Sequence, residues 1–230
     1  MPKKPSSPED PSPKHSESRS DTRERLLEAA ATLFATQGFS GTSVKEIAEA
    51  AGANISLISY HFEGKHGLYR SCLEQFGKKR LAATHRILVP CSSLEEFQIR
   101  LGMFFEELFV THVEDPEMTQ LIHRECDLPG NICEEFFRKT FLKSFEGLVE
   151  FFATAQKAGI LNLTYDAHIL AGLSFGAILN TARVDKMNQR YFNHSISDPK
   201  YRKLIIQCVI SAFTTNFSTA NRKSLPPGAP

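Results

Sequence analysis

The 230-residue chain has no tryptophan, so its 18 phenylalanines carry most of its large aromatic volume as rings without a hydrogen-bonding group. That suits a greasy interior or pocket. No stretch approaches 18 uninterrupted apolar residues, and the basic, Pro- and Ser-containing N-terminus has no apolar signal-peptide core. We therefore expect a soluble, cytoplasmic protein with no membrane partner. Cysteine is sparse: positions 72, 91, 126, 133 and 208 form an odd set with no C-x-x-C pair and no zinc-ligand spacing, which favours reduced thiols. Net charge is only +1, so any nucleic-acid binding must come from a local patch and not from a polycationic body. Alternating apolar and polar runs of strand type are also missing. What remains is a globular, all-α chain of about nine helices, with 41% apolar residues to build a core.

Proline punctuates this chain by where it is absent. Residues 1–20 hold five Pro and six Ser, a composition that cannot bury enough apolar area to offset its ordering entropy, and we expect a disordered arm over 1–18. From Lys14 to Val89 there is none, and Pro90 closes that block. Asp115-Pro116 and Asp198-Pro199 have the form of an N-cap followed by N1, and Pro129 precedes a helix opening at Asn131. The expected organisation is an N-terminal helix-turn-helix domain over 19–79, a helical bundle domain over 80–219 and a flexible tail over 220–230.

The stretch Val44 to Phe62, VKEIAEAAGANISLISYHF, joins two short helical patterns through a glycine. A scaffold helix precedes it, from Asp21 to Gln37, with Leu26, Leu27, Ala30, Leu33 and Phe34 on one stripe and Gly38 at its end. Ser43 and Glu46 have capping-box spacing for the second helix, and Asn54 is placed to cap the third. Small Ala48 and Ala51 permit a close crossing, as a helix-turn-helix requires. In the third helix Ile55, Ile58 and Phe62 lie to one side, while Ser56, Ser59 and Tyr60 point elsewhere. Hydroxyls, a phenol and an imidazole on an outward face can bond phosphate oxygens and base edges in a major groove. Lys65, opening the fourth helix, adds an ammonium to a helix N-terminus, which together make an anion site.

TSVKEIAEAAGANISLISYHFEGKHGLY resembles the N-terminal DNA-binding domain of TetR-type transcriptional regulators: Thr42, Ser43, Ile47, Ala48, Ala51, Gly52, Phe62, Lys65 and Leu68 match the family pattern. Ala53-Asn54-Ile55 and Ser59-Tyr60-His61 depart from it and look like the subgroup containing the antibiotic-responsive regulator CecR, as does LIHRECDLPG at 121–130. The resemblance implies that Thr42 and Ser43 touch phosphates, that Asn54, Ile55, Ser56, Leu57 and Ser59 face bases or the groove wall, and that Tyr60, His61 and Lys65 bind the backbone. Ile55 stands where the family usually has Lys, which favours an apolar contact with a thymine methyl there. His61 could equally pack beside Phe62 against the first helix. The basic residues of the arm, Lys3, Lys4, Lys14 and Arg19, are nearly balanced by three acidic ones.

In the second domain Ser93 and Glu96 have capping-box spacing ahead of a stripe of Phe97, Leu101, Phe104, Phe105 and Leu108. Glu125 falls on the apolar face with Met118, Leu121 and Ile122, as a salt-bridge partner of an arginine or as the polar anchor of a pocket. The long helix expected from Asn131 to Ala158 supplies Phe136, Phe137, Phe141, Phe145 and Phe152, a stripe that serves a core as readily as a cavity. By resemblance the domain holds a small-molecule effector, for which Phe104, Phe105, Leu121, Glu125, Phe137 and Phe141 are the candidates. The last two helices, over 166–187 and 199–217, carry Gly172, Gly176 and a stripe including Tyr201, Leu204, Ile205 and Cys208; in the family the corresponding pair forms the homodimer interface. His123, Glu125 and Cys126 cannot aim at one metal from a regular helix, and no nucleophile, base and orienter set is present. We expect no metal, no cofactor and no enzyme activity. The function implied is that of a homodimeric repressor, released from a palindromic double-stranded DNA operator by an effector. The alternative is a small apolar-ligand-binding protein with a vestigial DNA-binding unit.

Overall fold

The computed structural model describes residues 14–116, Met118, Thr119, Ile122 and 134–215, with side chains for all of these except 14–20, 134, 135, 137 and 215. Among the described residues there is no β-strand. The helices are α1 (Lys14–Gly41), α2 (Val44–Ala50), α3 (Ser56–Phe62), α4 (Lys65–Ile87), α5 (Leu94–Glu114), α6 (Glu134–Lys139), α7 (Phe141–Lys157), α8 (Ala167–Arg183), α9 (Asp185–Phe192) and α10 (Pro199–Thr215). The all-α class is as expected, and the chain divides into two compact units, Met1–Cys72 and Leu73–Pro230. Helix α4 runs unbroken across that division.

Helix boundaries differ from the sequence reading in three places. Residues 14–18, expected in the arm, belong to α1, which breaks at a kink where Gly38 takes φ 76°. The helix expected over 131–158 is interrupted at Thr140 (φ −122°, ψ −68°), whose hydroxyl donates back to the Phe136 carbonyl at 2.8 Å, a bond that competes with the helical ladder. The helix expected over 166–187 stops at Arg183. Asp185, which opens the separate helix α9, accepts from the Ile196 amide at 2.7 Å and the Ser195 hydroxyl at 2.9 Å. The expected tail over 220–230, the segment around Glu125 and residues 1–13 of the arm lie outside the described residues.

The first unit packs α1, α2 and α3 over buried Leu26, Ala30, Phe34, Ile47, Ile58 and Phe62. In the second unit Phe97 of α5 stacks on Phe151 of α7 at 4.8 Å and meets Phe152 edge-on at 5.3 Å. Helix α10 closes against α5: Gln98 Nε2 donates to Thr214 Oγ1 at 2.8 Å, and Arg202 donates to Glu106 at 2.9 Å and to the Ile196 carbonyl at 2.7 Å. Ser93 caps α5 by accepting from the Glu96 amide, but the Glu96 carboxylate reaches the amide and hydroxyl of Ser92, both at 2.9 Å, in place of the Ser93 amide. Those bonds and Arg100 lower the Glu96 carboxyl to about 2.

Candidate functional site

Helix α2 starts on a complete capping box: Glu46 N donates to Ser43 Oγ at 3.1 Å, and Ser43 N donates to Glu46 Oε2 at 2.8 Å. These bonds hold the Glu46 carboxyl below its ordinary value. The helix ends in a Schellman arrangement: the Ala53 amide bonds the Ala48 carbonyl at 2.9 Å and the Gly52 amide bonds that of Glu49 at 3.1 Å. Gly52 sits at φ +58°, a conformation that side chains rarely adopt and that turns the chain sharply into α3. Asn54 Oδ1 then accepts from the Ser56 amide at 2.9 Å and hydroxyl at 2.8 Å, and the first turn tightens through Leu57 N to Asn54 O and Ile58 N to Ile55 O. Seven residues cannot hold a helix by themselves. Buried Ile58 and Phe62 supply the anchorage, each contributing about 1.5–3 kcal/mol by leaving water.

The outward face of α3 is therefore a rigid ridge. Asn54, Ile55, Ser56, Ser59 and Tyr60 are exposed, Ile55 at 47% and Tyr60 at 67%, while Leu57 and His61 are half-buried on its flanks. The His61 ring lies 4.9 Å from Tyr60 and 6.1 Å from Phe62, touching both the ridge and the anchor. The Asn54 oxygen is engaged locally, which leaves its NH2 pointing at solvent as a donor. Past α3, Glu63 at φ 60° and Gly64 at φ 100° reverse the chain into α4. Gly67 lies so close to the Phe62 carbonyl that a Cβ would stand 1.7 Å from its oxygen. Lys65 is half-buried, with Nζ 4.3 Å above the Phe39 ring, and Phe39 in turn meets His66 and Tyr69. The ammonium is thus positioned over an aromatic face at the helix N-terminus.

Thr42 needs correction. Its side chain is buried, and its hydroxyl sits 2.9 Å from the Gly38 carbonyl and 3.1 Å from that of Leu33, so it ties the α1–α2 turn and has no path to a phosphate. Ser43 is exposed beside it.

The second unit contains an apolar cavity of about 360 Å³ lined by residues of α4, α5, α7, α8 and the stretch at Thr119 and Ile122. Phe104 and Phe141 line it, together with Phe76, Phe145 and Phe175. Phe105 does not: it is fully buried in the core. Leu121 and Glu125, and the side chain of Phe137, lie outside the described residues. At the polar end Arg80 donates from Nη1 to Glu107 at 2.8 Å, its Nη2 lies 3.6 Å from Asp115, and its guanidinium stacks 5.2 Å from the Phe76 ring centre. His112 Nδ1 lies 2.8 Å from the Leu108 carbonyl, which can only accept, so that nitrogen carries the hydrogen. Sequence reasoning missed Arg80, Glu107 and Thr119, because nothing in local spacing tells a paired buried arginine on α4 from an exposed one.

Exposed apolar residues collect on α8 and α10: Ile169, Leu173 and Leu204 are 50–63% exposed, and a Cβ at Gly172 or Gly176 would meet nothing within 4 Å. Among the described residues no three His, Cys, Asp or Glu side chains could hold a metal ion, and no helix is long and apolar enough to cross a membrane.

Residues 26–72 match the family model for bacterial regulatory proteins of the tetR family. The chain is 32% identical over 124 residues to the HTH-type transcriptional regulator YttP of Bacillus subtilis, covering 53% of this chain and 58% of YttP. It is 27% identical over 171 residues to the HTH-type transcriptional regulator TtgR of Pseudomonas putida, covering 70% of this chain and 79% of TtgR. The match to YttP thus spans little more than half of that relative. Among solved structures, FadR of Bacillus subtilis in complex with stearoyl-CoA shares the fold at a TM-score of 0.67 and 14% identity, over 82% of this chain and 97% of FadR. Residues 26–72, which form the helix-turn-helix, thus match the tetR family of bacterial regulatory proteins, and the chain is similar beyond them to regulators such as TtgR.

Proposed function

We propose that the protein is a homodimeric repressor that grips a palindromic DNA operator with its two α3 ridges and lets go when a small molecule enters the α4–α5–α7–α8 cavity. The observation that carries this reading is the exposed, hydrogen-bonding face of α3, immobilised by Ile58 and Phe62 beneath it. Asn54, Ser56 and Ser59 offer donors and acceptors to base edges, Ile55 offers a methyl-sized apolar contact, and Ser43, Tyr60, His61 and Lys65 flank them for phosphates. One such ridge reads few base pairs. Two, related by a two-fold axis through the exposed α8 and α10 faces, read half-sites about one helical turn apart or a multiple of it. The Asn54-Ile55 and Ser59-Tyr60-His61 sequence supports a CecR-like reading within that function.

The cavity borrows one wall from α4, the helix that begins at Lys65, and a ligand changes the position of that helix only by binding the released conformation more tightly. A coupling of about 1–3 kcal/mol is typical. Gel-shift titration of the full chain against its own upstream region, beside a random duplex of equal length at moderate salt, tests the proposal. Clear preference for the upstream region is the expected result, and equal affinity for both would sink it.

Ile55 and the absence of a strong basic excess favour one second reading, an apolar-ligand-binding protein whose DNA unit is inert. The dependence of DNA affinity on salt separates the two: phosphate contacts give a steep negative slope, an inert unit none.

A further inference from the structure

The cations of the first unit differ in what holds them. Arg25 pairs with Asp21 at 3.4 Å and Lys45 with Glu49 at 3.8 Å, each within its own helix. Arg23 and Lys65 have no carboxylate partner among the described residues, and each lies over a phenyl ring instead. The Arg23 guanidinium carbon is 5.1 Å from the Phe62 ring centre, and Lys65 Nζ is 4.3 Å from that of Phe39. Lys65 already belongs to the candidate DNA interface. Arg23, which stands on α1, has no assigned part in it.

Its position brings it to the edge of the ridge. Phe62 is the anchor of α3 and only 4% exposed, so the ring beneath the guanidinium is fixed. The His61 ring lies 6.1 Å from that of Phe62 and 4.9 Å from that of Tyr60, which makes Arg23, Phe62, His61 and Tyr60 a continuous row from α1 to the exposed face of α3. A phenyl ring has no lone pair to accept a conventional hydrogen bond, so Arg23, itself exposed, keeps its fork of N–H donors for an external partner. An arginine already seated on a ring also loses less side-chain freedom on binding than one that swings free in water.

Covering Phe62 requires only the methylene stem of the side chain. It does not account for a planar fork of donors left without an acid beside the phenol and imidazole that flank the ridge. Such a fork matches two oxygens of one phosphate. We infer that Arg23 is a further phosphate-binding residue of the DNA interface, donating to backbone oxygens alongside His61, with Phe62 as the platform that holds it. The inference rests on the DNA-binding reading of α3 and extends the interface onto α1. Arg23 adds affinity and register but no base preference, because phosphates are the same in every sequence.

Salt titrations of DNA binding by the full chain, with its own upstream duplex and with a random duplex of equal length, test the inference. Arg23→Met keeps an apolar stem over Phe62 and removes the charge. It should lessen the slope of log affinity against log salt by about one unit for each subunit bound. Both duplexes should be weakened alike, by about tenfold at moderate salt, the scale of one charge-assisted hydrogen bond. Arg23→Lys, which keeps the charge but not the fork, should retain the native slope and bind less tightly. An Arg23→Met slope equal to the native one overturns the inference. So does an Arg23→Lys slope reduced as far as that of Arg23→Met, because packing on Phe62 and not charge would then be what matters. A native protein without any salt slope fails earlier, on the DNA-binding reading itself, which keeps the two failures apart.

Discussion

Single side chains of the first unit divide sharply between anchors and contacts. Ile58 is 1% exposed and Tyr60 67%, two residues apart on one short helix. Ile58→Ala should cost about 2–5 kcal/mol in urea unfolding, because it leaves a cavity under α3. Lys65→Ala should barely change stability, and the slope of log affinity for DNA against log salt should fall by about one unit. An unchanged slope would remove Lys65 from the phosphate contacts. Cysteines show the same division: burial pushes the Cys72 thiol up to about 12, and its Sγ lies 3.6 Å from the Leu27 carbonyl, whereas Cys208 is exposed. A brief pulse of maleimide at pH 7.5, read by peptide mass spectrometry, should spare Cys72 until the protein is unfolded.

At the scale of helices, the ends matter more than the middles. The turn from α3 into α4 works only because Gly67 has no side chain. A Cβ there would fall 1.7 Å from the Phe62 carbonyl oxygen, and Gly67→Ala must push α3 or the start of α4 out of place. Loss of DNA binding with a folded second unit, seen as retained ligand binding, is the expected outcome. The start of α5 is sensitive to acid. Glu96 falls from the ordinary 4.5 to about 2 in the folded chain, so its contribution to stability is complete above 4.5 and disappears as pH drops through about 2. Melting temperatures of the native protein and Glu96→Gln should therefore differ at pH 6 and converge toward pH 2; a gap that stays constant would contradict the lowered value.

Function at the scale of the whole molecule asks for two copies. Ile169, Leu173 and Leu204 expose large apolar side chains on α8 and α10 of a single chain. Apolar faces of this sort mark association surfaces. Leu173→Glu combined with Leu204→Glu should convert the protein to a monomer in sedimentation equilibrium, and operator affinity should fall more than about 100-fold as one of two half-sites is lost. A double variant that stays dimeric would move the interface elsewhere.

Local signals were enough for the helix-turn-helix. Capping residues, the Gly52 turn and the i, i+4 spacing of Ile58 and Phe62 act over short stretches of chain, and the all-α class and the exposed ridge were legible from them. Thr42 was not: its position in the pattern points to phosphate, but only the folded α1–α2 turn shows its hydroxyl held by two carbonyls. Phe104 and Phe105 are equally apolar neighbours in the chain and both are buried, yet only Phe104 borders the cavity. The sequence by itself determined which segments coil and which face of α3 meets solvent, because both depend on residues close along the chain. Only tertiary structure decided which side chains border the cavity and that Arg80 meets Glu107, 27 positions away, because packing between separate helices sets those distances.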